Sequence, residues 1–386
     1  MAFDPPFLER GFRPFFLMAA VCAVLGIVLW VAFYAAGYTP PEFWPQPLDW
    51  HAHEMIYGFT LAVIAGFLLT AVANWTGGAP VRHLHLLALV LVWLSGRIVA
   101  NLSVPLPDSA VIAIQCSFIP VLAISLAIPL FKSRNVRNFV FLGLLAMLSS
   151  FEILFFMQED KRFLYGALTA VLMMISLVGG RVIPSFTVAA MRLRGEKIFQ
   201  TDQRLLDVLA VLSLLPVGFF LAVMPQTPWL AVAALASAVL HLLRLRRYYF
   251  FKSFCEPMLW ILHLGYVWLV LGLGLLVCVG LGLFAREMVV HAFTAGCIGS
   301  MCIGMMSRVT LGHSGRIIKA AAPVVIAFFL MQAAAVSRVF IPILLPDFYM
   351  TGVMLSGALW ALAFILFLAV YAPVYFQPNA PQIKRP

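Results

Sequence analysis

Residues 47–58 read PLDWHAHEMIYG, and an apolar run follows at once. Two imidazoles and a carboxylate at the mouth of a hydrophobic segment can bind a metal, clamp a haem iron or carry protons. His51 and His53 are two residues apart, so on a helix they point about 200° from each other and cannot easily grip one metal together. Pairing one of them with His291, on another apolar segment, is the better geometry. It brings two imidazoles from opposite sides, as a haem iron takes them. Glu54 and Glu287 lie beside these histidines in sequence, and either can hold a ring nitrogen and fix its tautomer. Two other roles stay open: an interfacial belt of Trp50, His51 and His53 at headgroup level, and a proton or ion path.

A second set lies elsewhere. His241, in ALASAVLHLLRLRRYYF, falls about nine residues before the end of one apolar segment, and His263, in EPMLWILHLGYVW, about six after the start of the next. At about 1.5 Å per helical residue they reach similar depth on adjacent helices. His313 follows in VTLGHSGR, where glycines on both sides let a loop fold back. Three imidazoles so placed suit copper, zinc or an open-faced haem. Tyr266, one turn beyond His263, can donate a hydrogen bond or relay a proton. Packing of each histidine as an isolated buried ring remains the alternative. His83 and His85, in PVRHLHLL, read as interface residues. The six cysteines form no CxxC pair, which argues against an iron–sulfur or zinc thiolate site. Cys297, Met301, Cys302, Met305 and Met306 share no single helical face, and close packing of a glycine-rich helix accounts for them.

The elements that must carry these side chains are apolar helices. The chain has 386 residues, 63% hydrophobic and 10% charged, with a mean hydropathy of +1.02. A water-soluble domain needs far more charge to cover its surface. The expected fold is all-α, a single polytopic transmembrane domain over 1–386. Its twelve spans run over about 14–36, 50–74, 84–101, 108–130, 138–157, 163–186, 204–224, 228–250, 257–283, 288–309, 317–341 and 348–371. The first run is too long for a signal-peptide core and reads as a retained helix.

Lysine and arginine set the orientation. Nineteen fall on the ends and loops that a cytoplasmic N-terminus places inside, among them Arg10, Arg13, Arg244, Arg308, Lys384 and Arg385. Lys161, Arg162 and Arg286 are the three on the other side. Both termini are therefore expected in the cytoplasm. The net charge of +10 is a basic inner surface attracted to anionic lipid and says nothing of nucleic acid. Arg97, Arg181 and Arg338 lie inside spans, where an arginine must find a partner or snorkel. The spans also echo one another: span 2 opens HEMIYGFT where span 10 opens REMVVHAFT, and spans 6 and 10 end GGRVIPSFT and MSRVTLGHSG. Spans 2, 6 and 10 are four apart, which suggests three four-helix units.

GFRPFF, WHAHEM followed by GFLLTAVANWTG, GGRVIPSFT, LHLLRL, EPMLWILHLGY, HAFT and SRVTLGHSGR together resemble the NnrS family, in order from about residue 9 to the end of span 12. That resemblance implies a bacterial inner-membrane protein of twelve helices containing haem and copper, associated with nitric oxide, denitrification and tolerance of nitrosative stress. It implies His51, His53, His241, His263, His291 and His313 as metal ligands. Arg97, Arg181, Arg308, Glu54 and Tyr266 are the candidate groups around a cofactor. Ala73, in TAVANW, stands where family members often have proline. The three-by-four echo is also similar to the haem-copper oxidases, whose helices 2 and 10 clamp a haem, although span 6 here has no histidine for a copper ligand. Three functions follow as expectations. The first is redox turnover of nitric oxide or a nitrosyl adduct, with an electron donor. The second is transport of metal or metal–nitrosyl species, and the third is binding or sensing without turnover.

Overall fold

The computed structural model describes residues 5–200 and 202–381; Lys384 and Arg385 of the charge count lie outside them. The chain is 81% helical, with no strand among the described residues. Among those residues twelve helices are long and apolar enough to cross a membrane. They are α1 (Phe12–Ala36), α2 (Pro47–Thr76), α3 (His83–Asn101), α4 (Asp108–Lys132), α5 (Val136–Gln158), α6 (Arg162–Leu193), α7 (Arg204–Val223), α8 (Pro228–Arg246), α9 (Pro257–Gly280), α10 (Arg286–His313), α11 (Ala322–Leu344) and α12 (Pro346–Phe376). Proline at the first helical position opens α2, α8 and α9, where its missing N–H and fixed φ cost nothing. Gly37, at φ +66°, closes α1 in the left-handed conformation that a side chain would disfavour. Leu25, Ile124, Phe219, Leu235 and Phe329 are all exposed, the apolar exterior of a multi-pass membrane protein.

Three helices stand apart by enclosure. The apolar windows of α2, α6 and α10 are 83%, 72% and 78% buried, against 33–56% for the other nine. These are the helices, four apart in the chain, whose sequences echo one another, and two of them carry His51, His53 and His291.

Tertiary contacts gather the chain into two compact units. The first comprises Met1–Ala167, Met306–Val324 and Phe364–Pro386; the second comprises Leu168–Met305 and Val325–Ala363. These contacts do not by themselves draw three four-helix units. Inside the first unit, Gly66 of α2 lies against Phe15 and Phe16 of α1. Inside the second, Gly265 of α9 meets Met301 of α10, and Gly304 of α10 meets Ile261 and Leu262. Small residues let these backbones approach, the usual basis of helix association in lipid.

Two arginines counted as loop cations prove to be buried. Arg13, in the GFRPFF stretch, is fully enclosed. Its Nη1 donates to the carbonyls of Tyr375 (2.9 Å) and Gln377 (2.6 Å), and its Nη2 to Asn379 Oδ1 (2.8 Å). It therefore ties the start of α1 to the end of α12. Arg244, the other, is held inside the second unit. Charge counting by position could not separate a lipid-facing cation from one turned inward by a partner.

Candidate functional site

His51, His53 and Glu54 lie in the first unit. α2 begins at Pro47, so His51 and His53 fall in its first turns and point apart, as their spacing requires. His51 stacks on Trp30 of α1, with ring centroids 4.3 Å apart. His53 turns inward and is fully buried, walled by Trp44, Tyr57 and Phe156 at 4.7–5.2 Å. Its Nδ1 faces Glu54 Oε1 at 3.3 Å, and its Nε2 faces Glu152 Oε1 at 3.2 Å. With a carboxylate on each side, the ring offers neither nitrogen to a metal in this arrangement.

Arg97 of α3 forms an ion pair with Glu54. Asn101 Nδ2 donates to the other Glu54 oxygen (2.8 Å) and to the Arg97 carbonyl (2.9 Å), and the Trp50 indole donates to Asn101 Oδ1 (3.1 Å). The cluster sets two carboxylates, Glu54 and Glu152, against Arg97 and the His53 ring. Glu152 of α5 was not among the residues singled out from sequence. The available signal was a lone acid inside an apolar span, SSFEILFF. Its second oxygen, Oε2, is buried and makes no hydrogen bond.

His291 belongs to the second unit. It is half-buried near the start of α10, its Nδ1 3.0 Å from Thr294 Oγ1. Directly after it the helix widens into a seven-residue π segment, Ala292–Ile298. The same widening follows His53, over Glu54–Thr60. π segments are rare and cluster at functional sites. Sequence letters aligned HEM with REM, pairing His53 with Arg286; the backbone instead gives His53 and His291 the same place before a π segment.

His241, His263 and His313 do not all fall in one unit. His241 and His263 lie in the second unit, whereas His313 lies in the first. His313 ends α10 and is not in a loop; the turn comes afterwards, at Gly315 (φ +74°). Arg10 donates toward His313 Nδ1 at 3.3 Å. His263 faces backbone carbonyls with both nitrogens, Leu259 O at 3.0 Å and Tyr248 O at 3.1 Å. Tyr248, in the connection after α8, is buried, and that burial pushes its phenol above the ordinary tyrosine range.

His241 is different. Its Nδ1 lies 2.7 Å from the Tyr266 hydroxyl. Its Nε2 is buried and makes no hydrogen bond of good geometry, the Ala210 carbonyl being the backbone group that bears on the ring. Among the described residues, no group of three or more histidine, cysteine or acidic side chains is placed to hold a metal. His83 starts α3, and His85 Nε2 lies 3.0 Å from Ser125 Oγ. Glu256 accepts from the Met258 N–H as the N-cap of α9.

A family model described as NnrS protein matches residues 6–379, nearly the whole chain. The chain belongs to the NnrS family. That membership is consistent with a membrane protein of the nitric oxide response. No curated protein matches it. Against the haem and copper that the resemblance implies, the imidazoles fit unequally. His241 comes nearest to fitting a metal, because its ring is held at Nδ1 and its buried Nε2, with the Ala210 carbonyl bearing on the ring, makes no hydrogen bond of good geometry. His53 and His263 do not fit as they stand, since each has an acceptor at both nitrogens. Arg97 is committed to Glu54, and Arg181 and Arg308 are half-buried and engaged by neighbours.

Proposed function

We propose that this NnrS-family chain is a haem- and copper-dependent inner-membrane protein that acts on nitric oxide or a nitrosyl adduct, with electrons from a separate donor, and so protects against nitrosative stress. The observation that carries this reading is His241. A buried imidazole inside an apolar helix, held at Nδ1 by Tyr266 and making no hydrogen bond of good geometry at Nε2, can serve as a metal ligand. When bound, a metal with an open coordination position supplies the place where a diatomic molecule is held and its redox state changed. Tyr266 holds the ring orientation. Glu54, His53 and Glu152 form a line of carboxylate and imidazole atoms that can hold a proton inside the membrane. His51, in the first unit, and His291, in the second, are further ligand candidates, and Arg181 and Arg308 are cationic candidates for the propionates of a haem nearer the inner face.

Removing Arg13 and Arg244 from the nineteen inner cations leaves seventeen, against three outside. That asymmetry supports cytoplasmic termini, and a reporter fused at either end that read as periplasmic would refute them.

The direct test is composition. Purified protein is expected to show a Soret band and to contain copper. His291→Ala is expected to shift or remove the Soret band, and His241→Ala to lower copper content. Protein free of both cofactors, purified from cells supplied with haem and copper, overturns the reading. The π segments, one in each unit, favour a second reading: a transporter of metal or metal–nitrosyl species, whose helices must open their hydrogen-bonding near a path. Protein-dependent copper uptake into vesicles, without consumption of nitric oxide, would select it.

A further inference from the structure

A cavity of about 610 Å³ opens in the first unit, where the end of α2, the start of α3 and the last turns of α4 meet. The charge count assigns this end of the three helices to the inner face. Arg82, from the α2–α3 connection, and Lys132, from the last turn of α4, both line the cavity and are both exposed. The wall holds nothing to neutralise them. No acid occurs between Glu54 and Asp108, nor between Asp108 and Glu152, and these two stretches supply the whole lining. Asp108 opens α4 at its other end, roughly 36 Å along the helix from Lys132.

The hydroxyls of the wall are already committed as donors. Thr76 Oγ1 donates to the Val72 carbonyl (2.8 Å), Ser133 Oγ to that of Leu130 (3.2 Å) and Ser125 Oγ to that of Val121 (3.0 Å). Ser125 therefore accepts from His85 Nε2 (3.0 Å), which places a ring proton there. What remains to meet a ligand is a guanidinium fork and an ammonium, with no carboxylate or amide side chain beside them. Such a set suits a phosphate, which only accepts. The margin of the cavity says what carries that phosphate. Ile128 of the wall is 50% exposed, Ile124 one turn before it 61%, and Leu84 of α3 73%. A polar cavity that opens directly onto apolar helix surface matches an amphiphile, with its headgroup inside and its acyl chains along the helices.

We propose that this cavity binds the phosphate of an anionic phospholipid, with Arg82 and Lys132 as its cationic donors and Ile124 and Ile128 against an acyl chain. One lipid held in a shaped site differs from the general attraction of a basic surface, and the proposal stands apart from the metal and nitric oxide reading.

Full-length protein, purified and stripped of lipid in an uncharged detergent, is titrated with phosphatidylglycerol, and native mass spectrometry counts the lipid retained. Phosphatidylcholine, whose headgroup carries its own cation, is titrated in parallel, and inorganic phosphate is added as a competitor. One tightly held phosphatidylglycerol is expected, with phosphatidylcholine held more weakly and inorganic phosphate displacing neither. Arg82→Gln with Lys132→Gln is expected to weaken phosphatidylglycerol binding about 10–30-fold, near fivefold for each cation. Arg246→Gln with Arg247→Gln removes the same charge from exposed arginines of the second unit and is expected to change binding by less than about twofold. The single variants at the cavity are read if the pair does not fold. Equal losses in the two double variants would mean diffuse attraction to a basic surface. Equal retention of the two lipids would mean that no headgroup is recognised, and displacement by inorganic phosphate would make this a site for the free ion. Each of these three results overturns the proposal.

Discussion

Arg97→Leu is expected to destabilise the protein by about 3–5 kcal/mol, the cost of leaving a buried charge without its partner. Glu54 is 7% exposed and loses its guanidinium. Only the Asn101 amide and the His53 ring then remain to balance it, and His53 already faces Glu152. Replacing both members of the pair, Arg97→Leu with Glu54→Leu, removes the orphaned charge along with the attraction, so the double variant is expected to recover part of the loss. Reversible unfolding in detergent micelles measures both. Wild-type stability in Arg97→Leu contradicts the network described for the first unit.

The second large effect concerns adjacent glycines. Gly180→Ala places a methyl group on the Arg244 guanidinium and forces that side chain away from Ser176 and Tyr266. Overpacking and lost charged hydrogen bonds together are expected to cost about 3 kcal/mol or more. Gly179→Ala meets Ile183, Met301 and Tyr266 at 3.5 Å, ordinary contact. In a helix it is expected to be neutral or to stabilise by up to about 1 kcal/mol. Thermal unfolding of the two variants side by side checks the contrast. Equal behaviour would mean that Gly180 is not the space Arg244 occupies.

Helix placement was largely legible, because a membrane span is written in continuous hydropathy; its bounds fall within five residues of those expected except at the end of span 6, which runs seven residues further. Span 10 was read four residues short, since glycine and histidine end a hydropathy window without ending a helix. The bonds of His241 and His263 were not legible. Tyr266 sits one turn from His263 in sequence yet hydrogen-bonds His241 across helices, while the His263 ring is taken up by main chain. Glu152 was illegible as a partner of His53 because 99 residues separate them and one sequence carries no record of that contact. The π segments leave no mark in composition. They are a matter of one extra residue per turn, decided by packing.

Nitric oxide itself is the most direct probe of the proposed activity. The purified protein, reduced and anaerobic, is mixed with nitric oxide in the presence of an electron donor, and the haem spectrum and nitric oxide concentration are followed together. The expected result is a shifted haem band with loss of nitric oxide well beyond one equivalent per protein, slowed in His241→Ala. An unchanged spectrum with no loss of nitric oxide would contradict the proposal that this chain acts on that molecule.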